Sequence, residues 1–201
     1  MDFAVLSASR PPNGAPDRQV AQHDTFVPGS LPGAAEAQAH VELATRYTLS
    51  SWVGLFFWVA LSFAAAGIGS RFSPGDWYAH LAKPAFNPPA WVFAPVWTLL
   101  YLVMGIAAWL VWQERGKARV APALALFLVQ LVLNAAWSGL FFGLHRIGWA
   151  LVDLAALWLV IGATLLAFWA HRPLAGLLMV PYLLWVSFAA LLNFYLWRLN
   201  G

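Results

Sequence analysis

The sequence predicts an all-α membrane protein, a bundle of five transmembrane helices with a proline- and aromatic-rich lid loop between helices one and two. Composition comes first. The chain has 201 residues, 62% of them hydrophobic and only 9% charged, which leaves too little polar surface to coat a water-soluble domain. Five apolar segments, 50–70, 91–112, 121–143, 148–170 and 174–197, each approach the roughly 20 residues that cross about 30 Å of hydrocarbon. The polar separators 71–90, 113–120, 144–147 and 171–173 are short, so sequential segments must run antiparallel. Helices are the open-ended way to span, because lipid cannot satisfy the edge of a sheet.

Residues 1–48 differ from the rest. Pro11, Pro12, Pro16, Pro28 and Pro32 lie among Gly, Ala, Gln and isolated charges, a composition that predicts a disordered tail ahead of a membrane domain at 49–201. Asp2 and the lack of a long apolar core before Arg10 argue against a signal peptide.

The loop after the first segment organises the chain. It carries Trp77, Tyr78, Phe86 and Trp91, with Pro84, Pro88 and Pro89 fixing the backbone and Lys83 and Asn87 supplying a polar edge. Each proline withholds a donor and biases its predecessor toward extended geometry, so the loop should be stiff. Pro95 and Trp97 follow in the first turns of the second segment. The whole reads as a lid over whatever the helices enclose.

In the third segment Gly139 and Gly143 form a small-xxx-small pair that Ala135 extends, and Ala65 with Gly69 does likewise in the first. Such ridges pack helices inside a bundle or across a dimer, and a homodimer through the third segment is expected. Asn134 and, in the fifth segment, Asn193 are amides at membrane depth; either joins helices or offers a ligand a polar handle. Asp153 is the acidic residue well inside an apolar segment, where a carboxylate faces the interior or a cavity. It either bonds a neighbouring helix or takes part in ligand or proton chemistry. Trp97, Trp137, Trp158, Trp185 and Phe188 fall at mid-depth. Several of them turned inward would form a flat-walled apolar slot suited to a planar conjugated molecule.

Conventional chemistry finds little support. There is no cysteine, and His80, His145 and His171 are split between the two sides of the membrane with no i, i+4 pair, so no metal site is expected. Phosphate loops, Ser/His/Asp sets and paired carboxylates are missing from the pattern. The net charge of +3 is strewn through the loops, which suits lipid headgroups and argues against a nucleic-acid partner.

The run WYAHLAKPAFNPPAWVFAPVWTLLYLVMG, followed by LNAAWSGLFFG, GWALVDL and VPYLLWVSFAALLNFYLWRLN, resembles the TspO/MBR family of translocator proteins, tryptophan-rich sensory proteins and peripheral benzodiazepine receptors. The likeness covers about residues 50–200. It implies a five-helix protein, often dimeric, that binds porphyrin, haem or other tetrapyrroles as ligand rather than as a covalent cofactor, and acts as carrier or sensor. Light- and oxygen-dependent porphyrin degradation is the implied alternative. By motif, Tyr78 belongs to the lid, and Trp97, Asn134, Trp185 and Ala189 to the pocket; Trp137 joins them from its position beside Asn134. Two departures stand out: Phe86 replaces a common lid tryptophan, and the family's sterol-recognition tyrosine aligns with Phe194, with Tyr195 one place on. One residue on a helix is a rotation of about 100°, which argues against sterol binding and fits a bacterial membrane.

Overall fold

The computed structural model describes residues 34–201, of which 42–201 form one compact unit. Among the described residues there are helices and no strands: α1 (Ala34–Gly69), α2 (Asp76–His80), α3 (Ala90–Trp112), α4 (Val120–Ser138, continued by a π-helical turn at Gly139–Gly143), α5 (Ile147–His171) and α6 (Pro173–Asn200). Five are long and apolar enough to span a bilayer, with α1 contributing Ser50–Gly69. They coincide with the five predicted segments to within a few residues.

Two boundaries differ from expectation. Helix α1 starts at Ala34 rather than near 49, because AAEAQAHVELA is built from strong helix formers that need no burial to favour the helix. The proline-rich part of the predicted tail, residues 1–33, lies outside the described residues. The lid is also not all loop: DWYAH closes one helical turn, α2, with Asp76 in its first turn, where a carboxylate complements the helix dipole.

Packing follows the small residues. A methyl group added at Gly105 of α3 would sit 2.7 Å from Val59 Cα of α1, so this glycine sets the closest approach of the two helices. Further toward the 113–119 loop, Trp109, one turn on, donates from Nε1 to Ser51 O at 2.8 Å, and Trp112, two turns on, lies over Gly54. Trp58 meets Phe127 edge-on, bringing α1 onto α4. α3 packs on α4 and α6, α4 on α5, and α5 on α6.

The bundle is unequal along its length. In the half away from the lid, Met104, Phe127, Ile161, Phe168 and Met179 are completely buried. At that end Arg172 Nε donates to Glu114 Oε1 at 2.7 Å and Lys117 pairs with the same carboxylate, clasping the α3–α4 connection to the α5–α6 connection. Lys117 first, and then Arg172, hold the Glu114 carboxyl below its usual range. α6 continues as one helix through Pro181.

The expected small-residue ridge is occupied within the chain. A Cβ on Gly143 would come within 2.7 Å of the Phe72 ring, and one on Gly139 within 3.6 Å, while Gly69 sits against Ser138. The glycines therefore make room for the residues that follow α1, and Ala135 is half-buried behind them. The π turn lies here, with Leu144 N–H reaching Gly139 O at 2.8 Å and Arg146 N–H reaching Leu140 O at 2.9 Å. Such wide turns insert an extra residue, and this one brings Phe141 and Phe142 to the same side as Trp137.

Candidate ligand cavity

Beneath the lid the helices enclose a cavity of about 1000 Å³. Its floor lies near the middle of the bundle. Trp97 stacks on Tyr101 with ring centroids 5.5 Å apart and meets Tyr182 edge-on at 6.2 Å. The Tyr101 hydroxyl donates to Asn134 Oδ1, and Asn134 Nδ2 donates to the Tyr182 hydroxyl at 3.0 Å. One amide from α4 thus ties α3 to α6 and closes the floor with satisfied polar groups, as burial requires. Below it comes the packed half of the bundle, so the cavity is blind.

The walls are aromatic. Trp137 stacks on Phe141 at 5.1 Å and 22°, and its Nε1 donates to Asn193 Oδ1 at 3.2 Å. Asn193 Nδ2 in turn donates to Ile147 O at 3.0 Å, so this buried amide joins three helices and fixes the plane of the indole. Across from it, Trp185 is braced by Phe93 at 6.0 Å and Phe188 at 5.6 Å. Leu154 and Leu157 of α5 and Ala189 of α6 complete the apolar surface.

The roof is held from within. Tyr78 donates to Asn87 Oδ1 at 3.2 Å, and Lys83 Nζ donates to Ala79 O at 3.0 Å and Leu81 O at 3.2 Å while lying 4.8 Å above the Tyr78 ring. Burial pushes the Tyr78 phenol pKa upward, and the bond to Asn87 opposes this in part. Outside the cavity, Trp77 stacks on His145 at 4.1 Å and Phe86 meets Tyr195 edge-on at 5.3 Å, which seats the roof on α6 and on the end of α4. On one flank the wall is thin. Gly67 of α1 and Ala94 and Thr98 of α3 line the cavity and are themselves exposed, so the cavity is open on the flank between α1 and α3.

The structure brings Tyr78, Trp97, Asn134, Trp137, Trp185 and Ala189 to one cavity, with Lys83, Asn87, Pro88, Pro89 and Asn193. Trp77, Pro84, Phe86 and Trp91 belong to the lid but not to the cavity lining; Trp91 is 74% exposed. Trp158 faces outward from α5 and donates to Ser187 Oγ at 2.8 Å. Asp153 is also outside the lining, and its buried Oδ2 has no hydrogen-bond partner, so the expected helix-joining bond is not seen at that atom. Among the described residues no three potential metal ligands cluster. Sequence reasoning missed Tyr101, Phe141 and Phe142 in the lining and Tyr182 in the floor. Tyr101 lies at i+4 from Trp97 and was findable by that spacing; Phe141 and Phe142 depend on the π turn and were not.

Five spanning helices around a lidded aromatic cavity define a multi-pass membrane protein with a ligand-sized site. The chain belongs to the TspO/MBR family, which matches residues 55–198. It is 43% identical to the human translocator protein over 78% of this chain and 89% of that one. Protein CrtK of Rhodobacter capsulatus is 43% identical, covering 72% of this chain and 90% of its own length. The tryptophan-rich protein TspO of Chlorobaculum tepidum is 44% identical, covering 71% and 92%.

Proposed function

We propose that this protein is a tetrapyrrole receptor, binding porphyrin or haem from one side of the membrane and acting as a sensor or carrier of the TspO type. The observation that carries the reading is that three indoles from three helices, Trp97, Trp137 and Trp185, border one apolar cavity of about 1000 Å³, the upper end of the range for small-molecule sites. Flat aromatic walls suit a flat conjugated ligand, because offset stacking and edge contacts add to the burial of its faces. Lys83 lines the same cavity at the lid, where an ammonium group complements the carboxylates that porphyrins carry at their rim. The blind floor favours sensing over passage, since transfer to the other side requires the packed half of the bundle to open.

The test is titration of purified protein in detergent with protoporphyrin IX in the dark, followed by quenching of tryptophan emission. Saturable quenching supports the reading; quenching no different from that of empty micelles carrying free tryptophan overturns it. A second reading, photo-oxidation of the bound porphyrin, is favoured by the Trp97–Tyr101 stack, two oxidisable rings at 5.5 Å in the floor. Illumination under oxygen decides it: bleaching faster than in empty micelles, lost in Trp97→Phe and Trp185→Phe, supports an enzyme.

We further propose a homodimer in a bacterial membrane. With Gly139 and Gly143 covered by Phe72, the contact would use the neighbouring exposed stripe of α4, Leu128, Val129, Val132 and Ala136. Cross-linking from cysteines placed on that stripe, in a chain that has none of its own, tests it directly.

A further inference from the structure

The lid's internal bonds explain its shape but not what holds it to the bundle. Most of its contacts with the helices are between rings, at Trp77, Tyr78 and Phe86, and such contacts slide at little cost. Among the described residues, apart from the backbone turns at its two ends (Arg71 N–H to Ile68 O, Phe72 N–H to Gly69 O and Val92 N–H to Pro89 O), the hydrogen bonds from the lid to a spanning helix pass through one side chain. Asn200, in the last turn of α6, accepts from Ala82 N–H through Oδ1 at 2.9 Å and donates through Nδ2 to Ala82 O at 2.9 Å. Its second Nδ2 proton goes to Leu196 O at 2.8 Å. The carboxamide is thus clamped to its own helix while gripping both backbone groups of a single lid residue, as a neighbouring strand would. Ala82 immediately precedes Lys83, which lines the cavity, whereas Asn200 does not line it.

We propose that Asn200 is the latch of the lid, a positioning residue that sets how often the cavity opens without touching what it holds. The inference rests on the lid reading given above. Because the same opening step precedes both uptake and release, loss of the latch speeds both and leaves their ratio nearly unchanged. Two exposed hydrogen bonds of ordinary strength correspond to about a tenfold change in the open population.

Two measurements on the full chain in lipid nanodiscs test this. The first needs no ligand: in Asn200→Ala the Ala82 amide hydrogen exchanges about tenfold faster than in the wild type, with helix content unchanged by circular dichroism. The second is stopped-flow quenching by protoporphyrin IX, where association and dissociation rate constants both rise about tenfold while Kd stays within about twofold. Ala82→Cys combined with Asn200→Cys gives the converse, slow uptake when oxidised and fast uptake after reduction, uncomplicated by native thiols. Unchanged Ala82 exchange overturns the latch. So does an oxidised cross-link with wild-type uptake, which would place the route through the open flank between α1 and α3. If the wild type binds no protoporphyrin, the ligand reading fails and the exchange experiment alone decides the latch.

Discussion

Replacing Asn134 with leucine tests whether the cavity floor is held by its hydrogen bonds. The change keeps the volume roughly constant and removes both bonds, leaving the hydroxyls of Tyr101 and Tyr182 without their partner. In the interior of a soluble protein, stranding a buried polar group costs about 1–3 kcal/mol. In membrane bundles the measured value of an interhelical hydrogen bond averages about 0.6 kcal/mol, because the unfolded helices find other partners in the bilayer. The two hydroxyls are not equivalent here. Tyr182 is 1% exposed and has nowhere to turn, so its loss falls toward the upper figure; Tyr101 borders the cavity and can rotate into open space, so its loss falls toward the lower. The expected total is about 2 kcal/mol. Reversible unfolding by SDS in mixed micelles, read by tryptophan fluorescence, measures it. The decisive control repeats Asn134→Leu in a Tyr101→Phe/Tyr182→Phe background, where the cost should vanish or reverse, because the amide there is already without its two partners. Persistence of the full cost there would show that Asn134 acts by packing and would refute the account of the floor.

Other consequences are equally open to measurement. Trp185→Leu should weaken protoporphyrin binding by roughly 1–3 kcal/mol through loss of a stacked face, with the SDS unfolding midpoint little changed; equal affinity in a folded variant would move the site elsewhere. Gly105→Ala drives a methyl group into the α1 backbone and should cost about 1–3 kcal/mol, whereas Gly67→Ala meets nothing within 4 Å and should be neutral or slightly stabilising through helix propensity. The lowered pKa of Glu114 means its ion pairs stabilise the fold above the ordinary value of 4.5 and are lost as pH falls through the window below it. Thermal stability should accordingly decline in acid more steeply in the wild type than in Glu114→Gln, and parallel curves would count against the clasp.

How far the sequence could be read depended on whether a feature was local. Spans were legible because apolar length is decided residue by residue, and the lid because its prolines constrain their own neighbours. Trp97, Trp137 and Trp185 were legible as cavity residues, but the Tyr101–Asn134–Tyr182 floor joins three helices and no single segment announces it. Gly139 and Gly143 show the limit from the other side: their spacing says that something packs closely, and only the fold says that Phe72 does. The same holds for Asp153, whose rarity drew notice while its position took it away from the cavity. Asn200 attracted none, since a polar residue near a helix end is unremarkable until its amide is found on Ala82.

The three prolines of the lid bear on energetics as well as on shape. A flexible cover must surrender its freedom each time it closes over a ligand, and that loss is deducted from every binding event. Pro84, Pro88 and Pro89, together with the bonds of Asn87 to Tyr78 and to Pro88 O, restrict this cover before any ligand arrives. A cover restrained in this way places its ordering cost on folding, once per molecule, rather than on each encounter. A chain with glycine at those three positions would close over the same walls and hold its ligand less tightly, with the difference appearing in the entropy of binding.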